Sequence, residues 1–177
     1  MERRILIVVD MQHDFVDGSL GTAEAQGIVP AVAERIRQAR QAGETIIATL
    51  DTHPENYLET AEGKKLPVRH CIRGTWGWEL SPEIAAALGE SLRVEKPTFG
   101  STALPAMIST LLDEEDTLAV ELIGLCTDIC VVSNALLLKA YFPEARIAVR
   151  PACCAGVTPA LHEAALQTMA SCQIDLI

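Results

Sequence analysis

Continuous apolar runs recur along the chain, the clearest being Ile5-Leu-Ile-Val-Val9 and Leu118-Ala-Val-Glu-Leu-Ile-Gly-Leu125. Runs of this length, bounded by charged or turn-forming residues, predict strands at 4–10, 45–50, 91–95, 117–124 and 146–149, with a short last one at 173–177. Between them, apolar residues recur at the three-and-four spacing of an amphipathic helix from Val29 to Ala42 and over 103–113, 129–141 and 159–171. Gly43 stops the first of these, because glycine readily takes the left-handed conformation that closes a helix. Strands this apolar are buried on both faces. Alternating with helices, they predict a three-layer α/β/α domain, Rossmann-like, around a central and mainly parallel six-stranded sheet. No repeat, low-complexity tract or linker divides the sequence, so residues 1–177 are read as one domain.

Composition fits this picture: 177 residues, 49% of them hydrophobic, suffice for one two-sided core. The formal charge of −10 and the absence of a basic stripe argue against a nucleic-acid partner, which needs clustered Lys and Arg to displace phosphate counterions. Only the five apolar residues Ile5 to Val9 separate the Met1-Glu-Arg-Arg start from Asp10, too few for a signal-peptide core or a membrane span. The expectation is a cytoplasmic protein with no membrane partner. The six cysteines lie within apolar segments and form no C-x-x-C pair, which favours reduced thiols, most of them ordinary core residues.

The chemistry is expected beyond the carboxyl ends of the strands, where open parallel sheets bind ligands. Asp10 closes the first strand, Asp51 and His53 follow the second, Lys96 follows the third, and Gly124-Leu-Cys-Thr-Asp-Ile-Cys130 follows the fourth. Taken singly, each has an ordinary explanation: a turn-forming Asp, a solvated Lys, a Cys acting as a small hydrophobe. Their shared edge changes the reading. Cys130 should lie in the first turn of a helix, where unpaired N–H groups, the helix dipole and a nearby ammonium favour the thiolate. A carboxylate that can move the thiol proton completes a Cys, Asp and Lys set sufficient for acyl transfer, with backbone N–H groups to hold the oxyanion. The long, charged, Gly- and Pro-containing segment from Asp51 to Ser81 reads as a functional loop. Within it, Asp51, His53 and His70 offer one carboxylate and two imidazoles, which suit zinc, iron or manganese, or else a surface turn with local hydrogen bonds.

The blocks Val9-Asp-Met-Gln-His-Asp-Phe15, Glu95-Lys-Pro-Thr-Phe-Gly-Ser-Thr102 and Gly124 to Cys130 resemble the three catalytic blocks of nicotinamidases and related isochorismatase-like cysteine hydrolases, along nearly the whole chain. The resemblance implies cleavage of a small, nicotinamide-like amide to a carboxylate and ammonia through a thioester. In that scheme Cys130 is the nucleophile, Asp10 the general acid and base, and Lys96 the charge partner. It also implies a cis peptide between Leu125 and Cys126, aiming the N–H groups of Cys126 and Cys130 into an oxyanion hole. The metal reading gains weight: Asp51, His53 and His70 would hold a divalent ion, zinc ahead of iron or manganese, with Glu59 or Glu62 as a further ligand. His13 and His162 are read as non-ligands. Nicotinamidases carry a Trp before the Pro of the histidine block and an aromatic residue before the catalytic Cys; here these positions are Leu66 and Ile129, and one residue is inserted between Pro67 and His70. Phe15 is the expected substrate contact, with Trp76, Trp78 and Phe99 as further candidate ring contacts. The family also implies a homo-oligomer. The alternatives are a relative acting on isochorismate, carbamoylsarcosine or ureidoacrylate, a metal-hydroxide centre with Cys130 as bystander, and a non-catalytic binding protein on the same fold.

Overall fold

A computed structural model describes all residues, 1–177. Six strands, β1 (Glu2–Val9), β2 (Thr45–Asp51), β3 (Leu92–Lys96), β4 (Thr117–Leu125), β5 (Arg146–Ala155) and β6 (Asp175–Leu176), form one sheet in the order β3-β2-β1-β4-β5-β6. Every neighbouring pair is parallel. Seven helices complete the layers: α1 (His13–Val16), α2 (Ala23–Gln41), α3 (Ala61–Lys65), α4 (Pro82–Leu88), α5 (Ala103–Ser109), α6 (Val132–Tyr141) and α7 (Pro159–Ser171). None of them is long and apolar enough to cross a membrane.

Side-chain alternation along β1 shows why the domain has two cores. Leu6 and Val8 join Ile46, Ala48 and Leu50 of β2 beneath Val32, Ala33 and Ile36 of α2 and Ile84 and Leu88 of α4. Ile5, Ile7 and Val9 face the other way, onto a cluster with Val120 and Leu122 of β4, Leu104 and Ile108 of α5, Leu138 of α6 and Leu166 and Met169 of α7. The chain runs outward from β1 through β2 and β3, then returns to β4 and runs outward on the other side. That reversal opens a crevice beyond the carboxyl ends of β1 and β4.

The two central strands approach closely at Gly124, whose φ is +116°, and a Cβ there would lie 2.2 Å from the Val9 carbonyl oxygen. Only glycine fits this contact. Just before it, the β4–β5 register shifts between Leu122 and Gly124, and β5 runs on to Ala155, past the expected end of the fifth strand.

Other boundaries also differ from the sequence reading. Helix α2 begins at Ala23, because Thr22 caps it by accepting from the Ala25 N–H at 3.0 Å; Pro30 removes one rung of the ladder without ending the helix. The expected helix over 103–113 stops at Ser109, and the last strand shrinks to Asp175–Leu176. The segment 129–141 opens with a π-helical turn, Thr127–Val131, before α6. α4 has only seven residues, too few for a readable period.

At the amino ends of the strands, an open groove of about 370 Å³ is bordered by Arg35, Glu121 and Arg150, far from the crevice. Arg35 donates to Glu121 and Glu44 at 2.8 and 2.7 Å, and Arg150 donates to Glu121 at 2.6 Å. Burial would raise the Glu121 carboxyl, but the two guanidiniums outweigh it and hold the group below its ordinary 4.5. Its stabilising contribution is therefore complete above that value and declines as the pH falls below it. Glu121→Gln is expected to lower stability at pH 7 by about 1–3 kcal/mol. The difference from the wild type should shrink in denaturant titrations run below pH 4.5.

Candidate active site

Four strand ends deliver the candidate residues to one place. Lys96, at the end of β3, is completely buried, and its Nζ lies 2.6 Å from Asp10 Oδ2, 3.3 Å from Asp51 Oδ1 and 3.4 Å from Cys130 Sγ. Nζ also donates to the Thr98 carbonyl at 3.2 Å. Asp10, just past β1, has a left-handed φ of +48°, a strained backbone of the kind that collects at functional sites. Its Oδ1 accepts from the Thr49 hydroxyl at 2.6 Å. Its Oδ2 faces Lys96 but has no well-aligned hydrogen bond, leaving a buried acceptor with spare capacity beside the thiol.

Burial drives the ionisation of this cluster. It pushes Cys130 well above the ordinary thiol range, the Asp10 charge adds to the push, and Lys96 opposes it. Burial likewise raises Asp10, again against Lys96. Burial would lower Lys96, but Asp10, Cys130 and Asp51 together hold its proton firmly in place. Burial therefore works against the thiolate that a helix start and a nearby ammonium favour, because the sulfur sits at the bottom of a crevice rather than at an exposed helix start. All six cysteines are free. Burial takes Cys126 and Cys154 up to about 12, as befits inert thiols.

Beside the thiol stands a second cluster. Asp51 Oδ2 is 3.0 Å from His53 Nε2 and 3.5 Å from His70 Nε2, and one donor atom from each residue falls within 4.8 Å of the others. Burial would raise Asp51, but His53, His70 and Lys96 overcome it and keep the group ionised. Glu62 Oε1 lies 3.7 Å from both imidazole Nε2 atoms. Glu59, by contrast, is exposed and accepts from the Asn56 amide at 3.3 Å, so of the two it is Glu62 that reaches the imidazoles. A carboxylate-rich set with two imidazoles suits a divalent ion. His13 stacks on Trp76 at 4.1 Å and bonds Asp17, and His162 bonds Thr127; neither joins the cluster.

A small cavity of about 40 Å³ touches both groups, lined by Asp51, Glu62, His70 and Cys130 together with Phe15, Leu66, Phe99 and Ile129. The Leu125–Cys126 peptide is cis. Trp76 and Trp78 do not line the cavity. Trp76 is 56% exposed over His13, and the Trp78 indole donates to the Thr52 hydroxyl at 2.9 Å. As ring contacts they are corrected, whereas Phe15 and Phe99 do border the space.

Three residues that hold the site escaped the sequence reading. Gln12 donates to the carbonyls of Asp51 and Trp78, both at 2.8 Å, and accepts the Asp51 N–H at 2.7 Å, fixing the end of β2. Asp14 accepts the Cys71 N–H at 2.8 Å, placing His70. Asn134 donates to the Cys130 carbonyl at 2.8 Å and the Phe99 carbonyl at 3.2 Å, and accepts the Ser101 N–H at 2.9 Å. The available signal was polarity in the wrong place, as with Asn134 among the leucines of α6.

Comparison with known proteins adds to this geometry. The family model described as an isochorismatase domain matches residues 4–177. A nicotinamidase of Acinetobacter baylyi is 30% identical over 162 residues, which cover 74% of this chain and 72% of that one. A nicotinamidase of Saccharomyces cerevisiae is 28% identical over 108 residues, a match spanning 46% of this chain and half the length of the yeast protein. The crystal structure of a Pyrococcus horikoshii pyrazinamidase in complex with zinc superposes with a TM-score of 0.84 at 28% identity, covering 99% of this chain and 98% of that one.

Asn134→Ala removes three hydrogen bonds, two buried and one part-buried, that tie the loop after β3 to the Cys130 turn. The expected loss is about 2–4 kcal/mol of stability, read as a lower denaturation midpoint with unchanged slope.

Proposed function

The chain belongs to the isochorismatase family of hydrolases, and on that premise we propose that residues 1–177 form one cysteine-dependent amidohydrolase domain that cleaves a small, nicotinamide-like amide. The observation that carries this reading is the Lys96 ammonium within 3.4 Å of Cys130 Sγ, with Asp10 and Asp51 on its other sides. In the acylation half, Asp10 Oδ2 takes the thiol proton as Sγ attacks the amide carbonyl carbon, so the costly buried thiolate never stands alone. The N–H groups of Cys126 and Cys130 donate to the developing oxyanion. Asp10 then returns the proton to the departing nitrogen, and ammonia leaves a thioester on Cys130. In the second half Asp10 accepts a proton from water as it attacks that thioester and passes it to the departing Sγ, which restores the thiol and releases the acid, ionised to the carboxylate in water. Lys96 stays charged throughout and offsets the negative charge that passes between Asp10 and Cys130.

Asp51, His53 and His70, with Glu62 as the further ligand, fit a divalent ion, and zinc is the first choice for this donor set. When bound, such an ion supplies a Lewis-acidic acceptor for a lone pair of the substrate or of water. Phe15 borders the same cavity and is assigned to substrate contact, with Leu66 and Ile129 as aliphatic walls. A cytoplasmic homo-oligomer completes the proposal.

An ammonia-release screen with nicotinamide, pyrazinamide, carbamoylsarcosine and ureido compounds tests the reaction. Cys130→Ala is expected to lower turnover by at least about 10³-fold. Full activity in that variant on every amide cleaved by the wild type would overturn the cysteine mechanism. Equilibrium dialysis against zinc should give one ion per chain. His70→Ala should weaken zinc binding by at least about tenfold, since even the outer partners of metal ligands are worth that much.

A further inference from the structure

His162 stands against the turn that carries Cys130. Thr127, completely buried between Cys126 and Cys130, places Oγ1 2.7 Å from His162 Nδ1, its one side-chain hydrogen bond. The next residue, Asp128, accepts the Val157 N–H at 2.9 Å. Both struts come from the junction of β5 and α7: Val157 lies between them, and His162 sits in the opening turn of α7, its own N–H on the Thr158 carbonyl at 3.0 Å. Gly156 lets the junction close. A Cβ there would lie 2.8 Å from His162 N and 2.9 Å from Asp128 Oδ1.

The turn so braced is π-helical, a conformation that is rare and occurs mostly as isolated turns at functional sites. Locally it is fastened by the N–H groups of Ile129 and Val131, both on the Cys126 carbonyl at 3.1 Å. Nucleophilic attack tolerates little misplacement, and a shift of about 1 Å can cost about a hundredfold in rate. A five-residue turn therefore gains precision from supports outside itself. His162 does not line the cavity and cannot touch a substrate there.

We infer that His162 is a positioning residue for the proposed hydrolysis: through Thr127 it fixes the turn on which Cys130 Sγ keeps its place beside Lys96. The inference rests on the reading of Cys130 as nucleophile. Its test pairs steady-state kinetics on an amide cleaved by the wild type with hydrogen–deuterium exchange of residues 126–131, comparing His162→Ala, His162→Asn and Thr127→Val in zinc-loaded protein. His162→Ala should lower kcat by about tenfold with KM within about twofold, and should speed exchange in the turn. Asn offers a polar atom at the reach of Nδ1, so His162→Asn should restore both readouts. Thr127→Val should match His162→Ala, and the double variant should be no worse than either single one.

Wild-type kcat and exchange in His162→Ala would overturn the inference while leaving the cysteine mechanism intact, and so would a loss that Asn does not repair. Should the wild type cleave none of the amides, the proposed function falls and exchange alone decides: unchanged protection in His162→Ala refutes the brace, and loss restored by Asn upholds it.

Discussion

A single ammonium with no access to water organises the end of this sheet. Lys96 is buried completely, and an isolated charge at that depth would be severely penalised. Asp10 and Asp51 are close enough to compensate, and the lysine in turn opposes the burial that pushes both carboxyls up. The three charges therefore stand or fall together. Asp51 extends the dependence further, because one of its oxygens faces Lys96 and the other faces His53 and His70. Thiol chemistry and the imidazole cluster thus share one carboxylate.

Much of the fold was legible because β1 and β4 are apolar on both faces, which only a sheet covered on two sides allows. Placing Asp10, Asp51, Lys96 and Cys130 together followed from the rule that parallel sheets bind at their carboxyl ends, and the structure does bring them within hydrogen-bonding reach. Depth was not legible. How strongly burial opposes the Cys130 thiolate depends on how much chain covers it, and segments distant in sequence supply that cover. The same reason hid Gln12 and Asn134, whose roles are defined by carbonyls that meet them only after folding. Helix α2 was read short because only its apolar spacing from Val29 onward was followed, whereas the cap at Thr22 lies seven residues earlier. Between Glu59 and Glu62 the sequence offered no choice; the short helix α3, capped by Thr60, turns Glu62 toward the imidazoles.

The departures from the nicotinamidase pattern have a local physical meaning. Leu66 and Ile129 line the cavity where nicotinamidases carry aromatic rings, so the walls there are aliphatic and deformable, without a flat face to stack on. Phe15 and Phe99 remain as ring surfaces, and Phe99 is 47% exposed at the mouth. Walls of this kind discriminate by size and apolar character rather than by stacking.

The middle seam of the sheet joins distant parts of the polypeptide: Ile5 lies beside Val120, and Val9 beside Gly124. A ribosome making this protein releases β1 long before its central neighbour exists, and the β5–α7 junction that braces the Cys130 turn emerges later still. Until then one whole side of an apolar strand has no partner. The pairing that creates the crevice is thus among the least local contacts in the molecule, which favours slow closure and leaves the young chain in need of protection from its neighbours.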